Sequence, residues 1–196
     1  MATEYERKFA ATPAHLTAIE AAFPGEGQVI SMETTYYDTP SSQLSARRYT
    51  LRRRLENGIS VCTLKVPAGN ARGEWEVVCD DIFRAIPLLI AQGGPEALAE
   101  LTREGLVPIC GAKFTRIAKT LHFEGGQVEL ALDQGILFGG GQECPLCEVE
   151  VELKTGGREL CDQFACALAD RFGLKEESES KFSRALKLSR GESNAK

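Results

Sequence analysis

Histidine is nearly absent. The chain of 196 residues has two, His15 and His122, and they are not paired at a ligand spacing. Paired-histidine zinc sites and Ser-His-Asp or Cys-His nucleophiles are therefore poor readings. Long apolar runs are missing, so no segment is long enough to span a bilayer. The start, Met1-Ala2-Thr3-Glu4-Tyr5-Glu6-Arg7-Lys8, is too charged for a signal peptide, and the expected location is cytoplasmic. There is no Gly-x-x-x-x-Gly-Lys-[Ser/Thr] loop and no Gly-x-Gly-x-x-Gly, which excludes P-loop and Rossmann machinery. A basic excess is also lacking: 23 Lys+Arg stand against 28 Asp+Glu, a net charge of −5. That balance discourages nucleic-acid and anionic-membrane surfaces, although a cleft can oppose the net charge. Cysteine is not scarce, but its number is odd, seven, which does not suit a disulfide framework. Cys144-Pro145-Leu146-Cys147 has half of a zinc spacing and no second half, so these thiols read as inert or half-buried.

What is present is alternation. Residues 3–9 read as a strand, with Glu4, Glu6 and Lys8 on one face and Tyr5, Arg7 and Phe9 on the other. Thr12-Pro13 predicts a helix start with Thr12 as N-cap, and Phe23-Pro24-Gly25 its end. Strands are expected over 29–37, 48–55, 59–66 and 73–79, with Asn57-Gly58 as a hairpin turn. The period then changes, predicting helices over 83–92 and 95–104. Strands return over 109–123, 127–132 and 147–154, joined by Gly125-Gly126 and by Gly139-Gly140-Gly141. An amphipathic helix over 160–172 ends at Gly173, and a short helix over 180–188 closes the chain. The expectation is one domain over 1–189 with a flexible tail over 190–196, built as an α+β fold around an antiparallel, barrel-like sheet.

The polar sets on these strands are the unusual feature. Glu4, Glu6 and Lys8; Arg52 and Arg54; Glu74 and Glu76; and Glu148, Glu150 and Glu152 each lie two residues apart. Such neighbours sit on one face about 6.6 Å apart, where like charges repel unless something neutralises them. The intervening residues are core formers: Tyr5 and Phe9, Leu51 and Leu55, Trp75 and Val77, Val149 and Val151. One such strand suits a solvated face. Several at once, sorted into acidic and basic rows, predict a sheet curled with its charges inward and its apolar face under the helices. Carboxylate rows suit Mg²⁺ or Mn²⁺, and clustered Arg and Lys suit phosphate oxygens, the equipment of phosphoryl transfer.

These segments resemble a known family, the CYTH superfamily of triphosphate tunnel metalloenzymes. Glu4-Tyr5-Glu6-Arg7-Lys8 is similar to its ExExK signature, and Thr35-Tyr36-Tyr37-Asp38-Thr39 to its YYDT segment. Leu51-Arg52-Arg53-Arg54, Thr63-Leu64-Lys65 and Arg72-Gly73-Glu74-Trp75-Glu76 resemble its LRxR, TxK and RxExE strands. Leu132-Asp133-Gln134-Gly135, Glu148-Val149-Glu150-Val151-Glu152 and Ser180-Lys181-Phe182-Ser183-Arg184 resemble its late acidic strands and closing SKxxR. The resemblance implies a closed eight-stranded antiparallel β-barrel, a triphosphate tunnel with flanking helices. It implies Glu4, Glu6, Asp133, Glu148, Glu150 and Glu152 as ligands of Mg²⁺ or Mn²⁺. It assigns Lys8, Arg52, Arg54, Lys65, Arg72, Arg116, Lys181 and Arg184 to the triphosphate, and Glu74 and Glu76 to the cavity wall. Lys8 and Lys65 join Glu4, Glu6, Asp133, Glu148 and Glu150 as catalytic candidates, and Lys119 rivals Arg116. The implied activity is metal-dependent hydrolysis of inorganic triphosphate to pyrophosphate and phosphate. Adenylate cyclase and thiamine triphosphatase are alternatives, and a polyphosphate-binding module is the non-enzyme one. The expected partner is a small-molecule triphosphate, with no nucleic acid or membrane, in a monomer or homodimer.

Overall fold

The alternating segments fold as strands of one sheet. The computed structural model describes residues 5–68 and 71–192, the side chains of Ala68, Ala71 and Arg72 apart. In chain order the elements are β1 (Glu6–Ala10), α1 (Pro13–Ala22), β2 (Gln28–Asp38), α2 (Gln43–Ala46), β3 (Thr50–Glu56), β4 (Ile59–Ala68) and β5 (Ala71–Val78). Then follow α3 (Ile82–Ala91), α4 (Ala97–Leu101), β6 (Val107–Phe123), β7 (Gly126–Gly139), β8 (Gln142–Thr155), α5 (Arg158–Phe172), β9 (Lys175–Glu176) and α6 (Lys181–Ser189). Glu4 and the tail residues 193–196 lie outside the described residues.

The sheet is antiparallel, in the order β5-β4-β3-β2-β6-β7-β8-β1-β9. It has nine strands where eight are expected, because Lys175 and Glu176 add a two-residue strand to the edge of β1. Among the described residues the backbone ladder does not close on itself: β5 and β9 are its two ends.

Local chemistry explains the boundaries. Thr12 and His15 cap α1 reciprocally, the Thr12 hydroxyl accepting from the His15 amide and His15 Nδ1 from the Thr12 amide. Asp81 accepts from the amides of Phe83 and Arg84 to start α3, and Ser180 accepts from that of Ser183 to start α6. Asn57 and Gly58, both at positive φ (49° and 88°), turn β3 into β4. The short α2 has no periodic signal in the sequence. It is made by buried Asp38, whose carboxylate accepts from the amides of Thr39, Leu44 and Ser45. Asp38 in the Tyr-Tyr-Asp-Thr segment is thus engaged in shaping a loop.

Three apolar clusters surround the sheet. On its outer face, α1 and α5 pack Leu16, Ile19, Cys161, Ala165 and Leu168 against Leu130, Leu132, Val149 and Val151. Farther along, α3 and α4 cover Leu51, Cys62, Leu64 and Val77, with Trp75 at the margin. The third cluster lies on the opposite, charged face. There α6 sets Ala185 and Leu188 against Met32, Tyr36, Cys110, Phe114, Leu137 and Leu146, and Phe182 meets the Tyr36 ring at 4.8 Å. One helix is therefore inside, where the alternation argument puts helices only outside. Its amphipathic sequence fits both needs, apolar side chains on the sheet and Lys181 and Arg184 toward the carboxylates.

Candidate active site

Strand register decides which charged groups meet. Asp133 of β7 lies opposite Arg116 of β6 and Glu148 of β8, while Glu150 lies opposite Lys8 of β1 and Ala131 of β7. Alternation then places Lys8, Glu148, Glu150, Asp133 and Arg116 on one face. Asp133 and Glu148 are wholly buried and Glu150 is 8% exposed. One carboxylate oxygen from each lies within 4.8 Å of the others, an all-oxygen set of the kind that holds a hard divalent ion.

Three cations occupy this cluster. Arg116 forks onto Asp133, with Nε and Nη2 each 2.7 Å from a carboxylate oxygen, and also reaches Glu150. Lys181 bonds Asp133 at 2.9 Å and Glu150 at 2.6 Å, and it also contacts Glu148. Arg184 pairs with Glu148 and stands 3.7 Å from buried Glu177. Burial alone would push the Glu150 carboxyl upward, but Lys181 and Arg116 outweigh it and hold Glu150 well below the usual range. At Glu148 burial wins with help from Glu150, and its carboxyl is raised despite Lys181. Lys181 and Arg116 are raised because the carboxylates outweigh their own burial.

A basic group lies on the same face. Arg54 is lowered by burial and by its neighbours Arg52 and Arg116. It is held by Thr34 at 3.2 Å and Glu56 at 3.3 Å. Arg52 stands 3.7 Å from Glu76 and 3.9 Å from Glu74, longer than hydrogen bonds. Its buried Nε has no hydrogen-bond partner among the described residues. Lys65 is 3.1 Å from Glu74, and Thr63 donates to Glu76. Concentrated positive charge and an unsatisfied buried donor are what an anion would complete.

A third, more exposed group holds Glu6, 4.0 Å from Lys8, and Glu152, bonded to Lys154 at 2.9 Å. Lys8 itself donates to the backbone carbonyl of Glu179 at 3.3 Å. Arg72 stands opposite Pro67, its side chain outside the described residues.

The rival cations are separated by fold. Lys119 points to the other face and donates to the carbonyl of Phe23 at 2.6 Å, capping the end of α1. Lys113 is exposed beside Glu33. Cys144 packs on the inner cluster and Cys147 on the outer one, so the half zinc spacing splits across the sheet. Four groups escaped the sequence reading. Glu129 and Lys154 join the Glu152 pair, and alternation from Asp133 and Glu152 would have found both. Glu177 and Glu179, which touch Arg184 and Lys8, sit in an irregular strap with no periodic signal.

Buried carboxylates interlocked with guanidinium and ammonium groups lie on one face of a large antiparallel sheet. The chain belongs to the CYTH domain family, which it matches over residues 2–186. It is 31% identical over 136 residues to the inorganic triphosphatase of Haemophilus influenzae; the match takes in 67% of this chain and 38% of that protein. The chain thus spans well under half the length of that relative. Among solved structures it is similar to HpAC1 from Hippeastrum, a candidate adenylyl cyclase with a dominant triphosphatase activity (TM-score 0.66, 18% identity, 96% of each chain). The PH1819 protein of Pyrococcus horikoshii is similar too (TM-score 0.62, 21% identity, 94% of this chain and 98% of that one). These two likenesses show the fold.

Proposed function

We propose that the chain hydrolyses inorganic triphosphate to pyrophosphate and phosphate with a divalent cation, Mg²⁺ or Mn²⁺. The observation that carries this reading is the pairing, on one buried face, of the Asp133–Glu148–Glu150 oxygen set with the Arg52–Arg54–Arg116 basic set. The similarity to the Haemophilus inorganic triphosphatase supports it. The donor set fits a hard cation because it is oxygen only, buried and convergent. Glu6 and Glu152 would add ligands from the more exposed group, and Glu4 belongs with them by sequence.

A divalent ion supplies Lewis-acid polarisation of phosphoryl oxygens and a more acidic bound water. The chain's own groups do the rest. Arg52 and Arg54 seat the phosphates, with Lys8, Lys65 and Arg72 as further anion ligands. Arg116, Lys181 and Arg184 exchange carboxylate partners for phosphate oxygens and stabilise the charge that develops on the leaving pyrophosphate. A carboxylate of the cluster orients the attacking water and takes its proton. The P–O anhydride bond breaks as the new P–O bond forms.

Trp75 sits with the outer α3–α4 cluster, so the rings on the charged face are those of Tyr36, Phe114 and Phe182, and the choice among triphosphates is left to assay. The deciding assay presents inorganic triphosphate, ATP and thiamine triphosphate with each metal and identifies products. Phosphate and pyrophosphate released fastest from inorganic triphosphate are expected; cyclic AMP as the dominant product from ATP would overturn the proposal.

A further inference from the structure

The Lys181 ammonium sits at the centre of the carboxylate cage. Its Nζ is 2.9 Å from Asp133 Oδ2 and 2.6 Å from Glu150 Oε1, and it also contacts Glu148 Oε1. It touches all three members of the oxygen set that converges within 4.8 Å. With Arg116 and Arg184 it sets three cations against the three carboxylates of the set, Arg184 standing also 3.7 Å from buried Glu177. We propose that Lys181 is a resident occupant of the cation position. It keeps the cluster closed to a free divalent ion and yields it when an anion takes up the ammonium, so that metal and anion enter as a coupled pair. The inference rests on reading Asp133, Glu148 and Glu150 as metal ligands.

The physical reason is charge balance in a buried space. A divalent ion entering alone must expel the ammonium into a region already carrying Arg54 and Arg116. An anion that reaches past Arg52 and Arg54 to draw on Arg116, Lys181 or Arg184 without a metal leaves buried carboxylates unpaired, which is costly. When both enter, each carboxylate and each base trades one partner for another, and the two affinities raise each other reciprocally. Lys181 is suited to the exchange. It is the first residue of α6, just after its Ser180 cap, so its stem can swing without moving the helix. Its ammonium lies 5.4 Å from the Phe114 ring centre, and the Arg116 guanidinium lies over the same ring. Arg116 forks onto Asp133 with two bonds and is the more firmly fixed of the two.

The test is Mn²⁺ binding without any phosphate, followed by electron paramagnetic resonance of the free ion. Lys181→Gln and Lys181→Met are both measured, since the first keeps a hydrogen-bond donor and is the milder change. Either variant is expected to bind Mn²⁺ more tightly than wild type by about tenfold or more, because a neighbouring unit charge is gone. Lys181→Gln/Glu150→Gln is expected to lose that gain. Lys187→Met, whose ammonium pairs with Glu179 outside the cluster, is expected to match wild type. Unchanged or weaker Mn²⁺ binding in a folded Lys181 variant would overturn the proposal. Should neither variant fold, the wild type decides: replacing chloride by sulfate at equal ionic strength is expected to tighten Mn²⁺ binding about threefold or more, and no tightening counts against coupled entry. A wild type with no triphosphatase activity but a gain in the variants would overturn the reaction and leave the Lys181 assignment standing. An active wild type without the gain would do the reverse.

Discussion

At the scale of single residues, the proposed reaction asks different things of the carboxylates and of the basic row. Glu150 is bonded by both Arg116 and Lys181, and its neutral isostere keeps shape while removing a ligand charge. Glu150→Gln is expected to lower metal-dependent kcat by about 10²–10³-fold with the fold retained, as steady-state rates beside circular dichroism will reveal. Arg52 has an unsatisfied Nε and only distant carboxylates, and in the proposed reaction it binds the anion. Arg52→Ala is expected to raise KM about tenfold with a smaller effect on kcat, the signature of lost uniform binding. A kcat loss without a KM change would move Arg52 into the chemical step.

Elements carry these residues in pairs of faces, and the outer face of β1 is tied down separately. Tyr5 and Arg7, which alternate with Glu6 and Lys8, both donate to Asp162 of α5, and Arg7 also pairs with Glu176 of β9. The same backbone carries Glu6 and Lys8, which the ladder to β8 sets opposite Glu152 and Glu150. Asp162→Ala is expected to speed amide hydrogen exchange in β1 and reduce turnover a few-fold while leaving β6 and β7 protected. Equal exchange across all strands would mean that α5 does not anchor β1 selectively. The packing beneath is conventional. Ile19 of α1 is fully buried in the outer cluster, and Ile19→Ala is expected to cost about 2–5 kcal/mol in chemical denaturation.

For the whole molecule, the buried thiols share one pH response, because burial holds them protonated. Burial pushes the Cys62 thiol up to about 12, with help from nearby Cys79, and the Cys110 thiol to about 12 as well. Unfolded thiols ionise near 9. Between those values the native state binds more protons than the unfolded one, so stability falls as pH rises through this window. Below the lower value these groups leave stability unchanged. Denaturant titrations across alkaline pH are expected to give a downward slope that flattens in Cys62→Ala and Cys110→Ala. Burial pushes the Cys161 thiol up to about 11 as well, so a slope that survives replacement of all three would assign it to groups other than the buried thiols.

Alternation in the sequence was enough to show most strands, which residues share a face, and the hairpins at Asn57-Gly58 and Gly140-Gly141, because period-two patterning and positive-φ turns are local properties. It stopped short of the far half of β7 and the near half of β8, expected only over 127–132 and 147–154, where residues 133–139 pair with 142–148 across the Gly-rich turn. The segregation of acidic and basic rows was legible for the same reason, and so was the family resemblance. Partner choice was not. Arg116 and Lys119 are both cations on one strand, and only the register against β7 and the approach of α1 send one to Asp133 and the other to the Phe23 carbonyl. The inward seat of α6 and its Lys181 among three carboxylates likewise belong to tertiary structure, since they bring together residues from β7, β8 and the chain's last helix. Sequence chose the chemistry available on each face; packing, through long-range electrostatics and burial, decided which charge neutralises which.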